Sequence, residues 1–227
     1  MTNEVFHIAI DGPVASGKGT LARALAKRFG VHTLDTGAFY RALGVWCKAN
    51  SIDVGDKVAI ERVIASVDFI AKIDKAGMTL VLINGEDMTG RIRTAEAGQL
   101  ASKISVHQEV KTFLTKKMQN IAKEGSFMLE GRDITSVVLR DAKFKFYLTA
   151  DTRVRAKRRL CELEAKGMSN GMTLEEMEQD IKIRDERDMS REAAPLRIVE
   201  DAIIVDNSNM TMEETVEHIY NIVRVGT

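Results

Sequence analysis

Residues 9–20 read AIDGPVASGKGT. An apolar run, Phe6, Ile8, Ala9 and Ile10, leads into three glycines, Gly12, Gly17 and Gly19, placed around a single lysine, Lys18. Leu21, Ala22, Leu25, Ala26 and Phe29 then recur at helical spacing and stop at Gly30. The pattern is strand, glycine-rich turn, helix. The first N–H groups of a helix have no partner inside it, and together with the helix dipole they make a site for an anion. Glycines let the chain close around that anion with no Cβ in the way.

The strict phosphate-loop pattern is G-x-x-x-x-G-K-[ST]. Gly12, Gly17 and Lys18 fit it, whereas Gly19 takes the hydroxyl position and Thr20 follows. An ordinary strand-to-helix turn is the bland alternative; the glycines, the lysine and the strand–helix context all disfavour it. Gly12, Pro13, Val14, Ala15, Ser16, Gly17, Lys18, Gly19 and Thr20 are therefore the candidate site for a nucleoside triphosphate. Lys18 would pair with β- and γ-phosphate oxygens, and Thr20 or Ser16 could add a hydroxyl near a magnesium ion.

Downstream, Val31–Leu34 reads as a short buried strand, DTG as a turn, and 38–49 and 56–67 as helices, the latter capped by Asp56. The period then changes to two: Phe69, Ala71 and Ile73 alternate with polar neighbours, KAG turns, and MTLVLING returns as the second arm of a hairpin. Val106, Val110, Phe113, Leu114, Lys117, Met118 and Ile121 share one face of a helix over 106–123. FMLEGRD and AKFKFYLTA read as strands, and Asp151 caps a basic helix. Thr173 with Glu176 and Thr211 with Glu214 are capping boxes on either side of a last strand, DAIIVD.

Strands alternating with helices imply a doubly wound parallel sheet, with ligands at the carboxyl ends of its strands. The expected architecture is an α/β phosphate-loop core over residues 1–59, 106–152 and 192–227. A small antiparallel sheet is inserted at 60–105, and a helical lid spans 153–191. Gly30, Gly44 and Gly167 flank candidate moving segments.

The chain has 227 residues, 44% of them hydrophobic and 29% charged, an ordinary balance for a globular protein. Thirty-three basic residues cancel thirty-three acidic ones, so nothing global argues for nucleic acid or an anionic membrane as partner. No signal peptide or membrane-spanning run is read. Cys47 and Cys161 fall far apart on expected helices and read as buried, reduced thiols of a cytoplasmic protein. The four histidines have no metal-ligand spacing.

Two cationic clusters remain. Arg153, Arg155, Lys157, Arg158 and Arg159 crowd one helix, most of them read as a solvated face. In RDERDMSR, Arg184, Arg187, Asp188 and Arg191 recur at spacings of three and four. That segment is either an ion-paired surface helix or a lid whose arginines close on phosphates, a task that suits bidentate guanidinium groups.

Four segments together, IAIDGPVASGKGT, LDTGAFYRA, EGRDITSVV and RDERDMSREAAPL, resemble the bacterial cytidylate kinases, nucleoside monophosphate kinases of the phosphate-loop class. The resemblance covers essentially the whole chain. It implies transfer of phosphate from ATP, with Mg2+, to CMP or dCMP, on a cytoplasmic enzyme expected to act as a monomer. It places Arg41 and Arg132 at the acceptor phosphate, beside Asp35, Thr36 and Tyr40. It places Ser102 and Asp133 on the cytosine edge, Asp188 on the sugar hydroxyls, Arg184 and Arg191 around the transferred phosphoryl group, and Arg158 near ATP. A carboxylate at Asp133 suits cytosine, whose N4 amine donates where uracil presents a carbonyl. An ion pair with Arg132 is the structural alternative for Asp133.

This chain departs from the family pattern at Glu130, where aspartate is usual, and at Lys111, where arginine is usual; Thr36 stands where serine is also common. Lys111 either donates to the base or lies solvated on its helix. The loop motif alone also admits a kinase of AMP or UMP, or a nucleotide-dependent switch. A guanine-specific switch would carry an asparagine–lysine–x–aspartate loop, which is not found.

Overall fold

The structure, a computed structural model, describes residues 5–74 and 79–226. In chain order it runs β1 (His7–Asp11), α1 (Lys18–Phe29), β2 (His32–Asp35), α2 (Thr36–Ala49), α3 (Lys57–Ser66), β3 (Phe69–Ile73), β4 (Thr79–Ile83) and β5 (Glu86–Asp87). It continues with α4 (Ala95–Ile104), α5 (Gln108–Ala122), β6 (Phe127–Gly131), β7 (Phe144–Thr149), α6 (Thr152–Ala165), α7 (Leu174–Ser190), β8 (Ile203–Asp206) and α8 (Met212–Gly226). A single π-turn, Ile134–Val138, lies between β6 and β7.

Five strands form one sheet in the order β2-β6-β1-β7-β8, every pair parallel. Alternation along each strand splits the interior into two layers. Ile8, Ile10, Met128, Phe146 and Leu148 face α1 and α8, against Leu21, Leu25, Val216, Ile219 and Val223. Ala9, Phe127 and Leu129 face the other way, against Phe39, Leu43, Val110, Leu114 and Met118 of α2 and α5.

The second layer runs on without a break into the antiparallel sheet β3-β4-β5, whose Phe69, Val81 and Ile83 are fully buried. Phe69 meets Phe39 at 5.6 Å between ring centres and Phe113 edge-on at 5.9 Å. Each such ring buries enough apolar surface to contribute about 2 kcal/mol, so this seam holds the small sheet to the large one. The KAG segment expected to turn the hairpin lies outside the described residues.

Both capping boxes form, as do the caps by Asp56 and Asp151. Several expectations are corrected. β2 is an edge strand with only Leu34 fully buried, because β6 covers it on one side alone. Val106 is half exposed and precedes α5, which begins at Gln108 once the chain has turned at 105–107. Cys161 is exposed, whereas Cys47 is buried. Gly44 sits inside α2 where α4 crosses, and a Cβ there would come 2.9 Å from Leu100 Cβ. Among the described residues no helix is long and apolar enough to cross a membrane.

Candidate active site at the carboxyl edge of the parallel sheet

β1 is the middle strand, and the loops after β1, β2 and β6 open on the same edge. Gly12 follows β1 with φ +152°, and a Cβ on it would fall 2.0 Å from the Leu148 carbonyl oxygen of β7. Only glycine can pass there. Gly17, at φ +93°, turns the chain into α1.

Lys18 is buried, its Nζ 2.7 Å from the Pro13 carbonyl and 3.2 Å from Ser16 Oγ, which also donates to Pro13. Burial pushes its ammonium down to about 7; the Arg132 charge acts in the same direction, and the Glu130 and Asp11 carboxylates oppose it. Glu130 is pushed up by burial against the pull of Lys18. Its Oε1 lies 3.6 Å from the place a Gly19 Cβ would take, so the longer side chain reaches across the start of α1. Thr20 is exposed and accepts from Arg23 at 3.4 Å.

At the start of α2, Asp35 caps the helix through Ala38 N and holds Arg41 Nη2 at 2.7 Å. Thr36 Oγ1 donates to the Glu130 carbonyl at 2.7 Å, tying this loop to β6. Arg132 Nε donates to Asp188 Oδ2 at 2.7 Å. Burial of Asp188 works most strongly against its charge, but Arg132, Arg191 and Arg184 together outweigh it and the carboxyl stays below its usual range.

Arg191 Nη1 lies 3.8 Å from Asp188, and its Nη2 lies 3.7 Å from Asp133 Oδ2. Arg184 makes no hydrogen bond or ion pair with a described residue; burial and then the Arg132 charge pull its pKa down. Three guanidinium groups thus converge with two carboxylates, Asp188 shared between Arg132 and Arg191 and Asp133 beside Arg191. An arrangement with this surplus of positive charge receives anions.

Asp133 does not pair with Arg132. Its Oδ2 takes Lys111 Nζ at 2.8 Å, and both residues are buried. Lys111 is therefore not a solvated lysine; burial pushes its ammonium down against the pull of Asp133. Among the described residues both ion pairs of Asp133 go to Oδ2, and none hydrogen-bonds Oδ1. Tyr40 is pushed up by burial and then by Asp133, which places it beside this pair.

Two expected residues stand apart from the cluster. Ser102, on α4, accepts from Arg187 of α7 at 3.1 Å. Arg158 reaches not the lysine but the loop after β8, donating to Asn207 Oδ1 at 2.9 Å and to the Asn207 and Met210 carbonyls. Asn207 in turn donates to the Ser16 carbonyl at 3.2 Å.

Sequence reasoning missed Asp11, Arg155, Asp185 and Asn207. Asp11 is fully buried and accepts from Ile134 N, Thr135 N and Thr135 Oγ1, fixing the turn that follows Asp133. A carboxylate ending an apolar strand just before a phosphate loop was its available signal. Of the basic helix, Arg153 and Lys157 are exposed, but Arg155 is buried and paired with Asp185. Nothing in the spacing separates it from its neighbours.

The cytidylate kinase family model matches residues 8–225. A cytidylate kinase of Caldicellulosiruptor saccharolyticus is 42% identical over 213 residues, 94% of this chain and 93% of its own length. One of Thermosipho melanesiensis is 42% identical over 218 residues, 96% of each chain. Among solved structures, an uncharacterized protein of Eubacterium ventriosum shares the fold at a TM-score of 0.52 and 13% identity, over 98% of this chain and 99% of that one. A match that runs through the phosphate loop, the small sheet and the arginine-bearing α7 alike leaves one assignment: the chain belongs to the cytidylate kinase family.

Proposed function

We propose that this protein phosphorylates CMP, and dCMP with it, using ATP, and that the buried Asp133–Lys111 pair selects the base. The observation that carries the reading is the Asp133 Oδ1, bonded to none of the described residues, beside a shielded ammonium. The carboxylate accepts from the N4 amine of cytosine and repels the carbonyl of uracil. Lys111 donates to the exocyclic O2 carbonyl oxygen of cytosine, and Ser102 of α4 closes the edge once it exchanges its contact with Arg187 for the base. Asp188 takes the sugar hydroxyls.

The rest of the site performs the transfer. Residues 12–20 cradle the triphosphate, with Lys18 on its β- and γ-phosphates. Arg41 and Arg132 hold the acceptor phosphate, from which an oxygen attacks the γ-phosphorus while the bond to the ADP oxygen breaks. Arg184 and Arg191 neutralise the charge that spreads over the moving phosphoryl group. Arg158, through Asn207, supports the loop that borders the ATP site.

Mg2+ arrives with ATP. The Glu130 carboxylate across Gly19 and the hydroxyls of Thr20 and Ser16 are hard oxygen donors of the kind this ion takes, and they would hold it directly or through its waters. Residues 153–191 act as the lid and 60–105 as the acceptor-binding insertion. The lid and the insertion must both move, which favours action as a monomer; the setting is the cytoplasm.

ADP release is measured with ATP and each of CMP, dCMP, AMP and UMP. Release that depends on CMP and far exceeds that with AMP or UMP is expected. Release independent of any acceptor, or equal for UMP, overturns the reading. In Asp133→Asn the CMP preference over UMP in kcat/KM should shrink by about tenfold or more, since the amide can donate to the uracil carbonyl as well as accept from the cytosine amine.

A further inference from the structure

Val14 stands inside the phosphate loop, and both of its peptide groups are held by side chains from elsewhere. Its N–H donates to Asp185 Oδ1 at 3.0 Å. Its carbonyl accepts from Arg155 Nη1 at 2.9 Å. The two side chains close on each other, Nη1 to Oδ2, at 2.6 Å, and both are buried. Arg155 is itself anchored at the end of β7, donating through Nε to the Ala150 carbonyl and through Nη2 to Thr152 Oγ1, each at 2.9 Å.

Packing repeats the hydrogen bonding. Val14 and Ala15 lie against Ala156, Met177 and Ile181, the small core between α6 and α7. Ala15 has φ +59°, a left-handed backbone that a residue with a Cβ keeps only when its surroundings insist. The constraint is the clamped peptide immediately before it. The direction of the next N–H groups, which must point at phosphate oxygens, follows from that conformation.

The geometry points to Arg155 and Asp185 as positioning residues that hold the phosphate loop in its receiving shape and couple it to the docking of α7. Asp185 is the neighbour of Arg184, and Asp188 and Arg191 follow on the same segment. One helix therefore carries the groups around the acceptor and the transferred phosphoryl on one side and the loop clamp on the other. When α7 settles on a bound acceptor, the loop is pinned; when ATP pins the loop, α7 is held for the acceptor. Such coupling is reciprocal in binding free energy. The inference rests on reading residues 12–20 as the ATP site.

The test uses a non-hydrolysable ATP analogue and CMP, titrated singly and together, with Asp185→Asn and the double variant Arg155→Leu/Asp185→Leu. Asp185→Asn keeps an acceptor for Val14 but loses the charge that orients Arg155. It should bind the analogue about fivefold or more weakly and lose the mutual tightening of analogue and CMP, while CMP alone binds as before. Its kcat should fall about tenfold or more, as a misplaced loop demands.

The double leucine variant separates position from stability, because apolar residues in place of a buried ion pair are often neutral or better for folding. It should melt near the wild-type temperature and keep the analogue defect. A double variant that binds the analogue and turns over like wild type sinks the clamp. So does an Asp185→Asn protein that loses CMP and analogue affinity in parallel, the mark of general loosening. Wild-type protein that fails to bind the analogue sinks the site reading and the clamp together.

Discussion

Lys111 Nζ stands 2.8 Å from Asp133 Oδ2, and the two side chains expose only 3% and 10% of their surface. They come from α5 and from the loop after β6, and a second cation, Arg191 of the segment after α7, stands 3.7 Å from the same oxygen. The pair has to be right both for folding and for the base it faces.

Breaking the pair from the lysine side should be costly. Lys111→Met leaves a buried carboxylate with only the longer contact to Arg191, and such losses run to about 3 kcal/mol. Lys111→Arg keeps the pair and adds a forked donor, so its stability should hold and its affinity for CMP should change by about 1 kcal/mol or less. Thermal melts with calorimetric CMP titration check both. A methionine variant that melts like wild type would show the pair to be energetically idle.

Arg184 behaves in the opposite sense. Among the described residues it has no carboxylate partner within ion-pair distance, and burial and Arg132 both work against its charge. Arg184→Met should leave the free protein as stable as wild type or more so, while kcat falls about a hundredfold because a charge aimed at the transition state is gone. A variant with lowered melting temperature and intact kcat would assign Arg184 to structure instead.

Lys18 gives a proton signature. Its folded-state pKa of about 7 lies below the ordinary 10.5, so at about pH 8 the free protein holds it mostly neutral. Bound phosphates favour the ammonium, so ATP binding at that pH should take up close to one proton. At about pH 6 the group is already charged and the uptake disappears. Calorimetric titrations in buffers of different ionisation enthalpy read this directly, and Lys18→Met should abolish it. Equal heats in all buffers at about pH 8 would contradict it. By the same sign, the unfolded chain binds more protons than the folded one between about 7 and 10.5, so through this group the stability of the free protein rises with pH across that window.

Gly12→Ala tests the approach of β7 to the loop. The new methyl would meet the Leu148 carbonyl at 2.0 Å, from a backbone at φ +152°. Strain of this kind costs about 2 kcal/mol or more, a fall of at least about 4 °C in Tm for a chain of this size. ATP affinity should fall with it. An unchanged melt would show that β7 yields easily.

Much of this molecule is local chemistry and could be read along the chain. Strand, loop and helix at residues 7–29 follow from an apolar run, three glycines and a 3.6-residue period. The boxes at Thr173–Glu176 and Thr211–Glu214 form because each needs only three residues of its own helix. Alternating strands and helices specified a parallel sheet before any pairing was known, and the change of period at Phe69 announced the second, antiparallel one.

Partner choice was decided only by the tertiary structure. Asp133 follows Arg132 in sequence yet pairs with Lys111, twenty-two residues away, because neighbouring side chains after a strand point apart while α5 lies against the loop. Arg132 finds Asp188 across fifty-six residues. Arg155 lies in a run of like charges and is the one drawn inward to Asp185 and Val14, since its turn of α6 meets both α7 and the end of β7. Helical spacing states which residues share a face; it carries no information about which other element will cover that face, and burial, ion pairing and the pKa of Lys18 all depend on that cover.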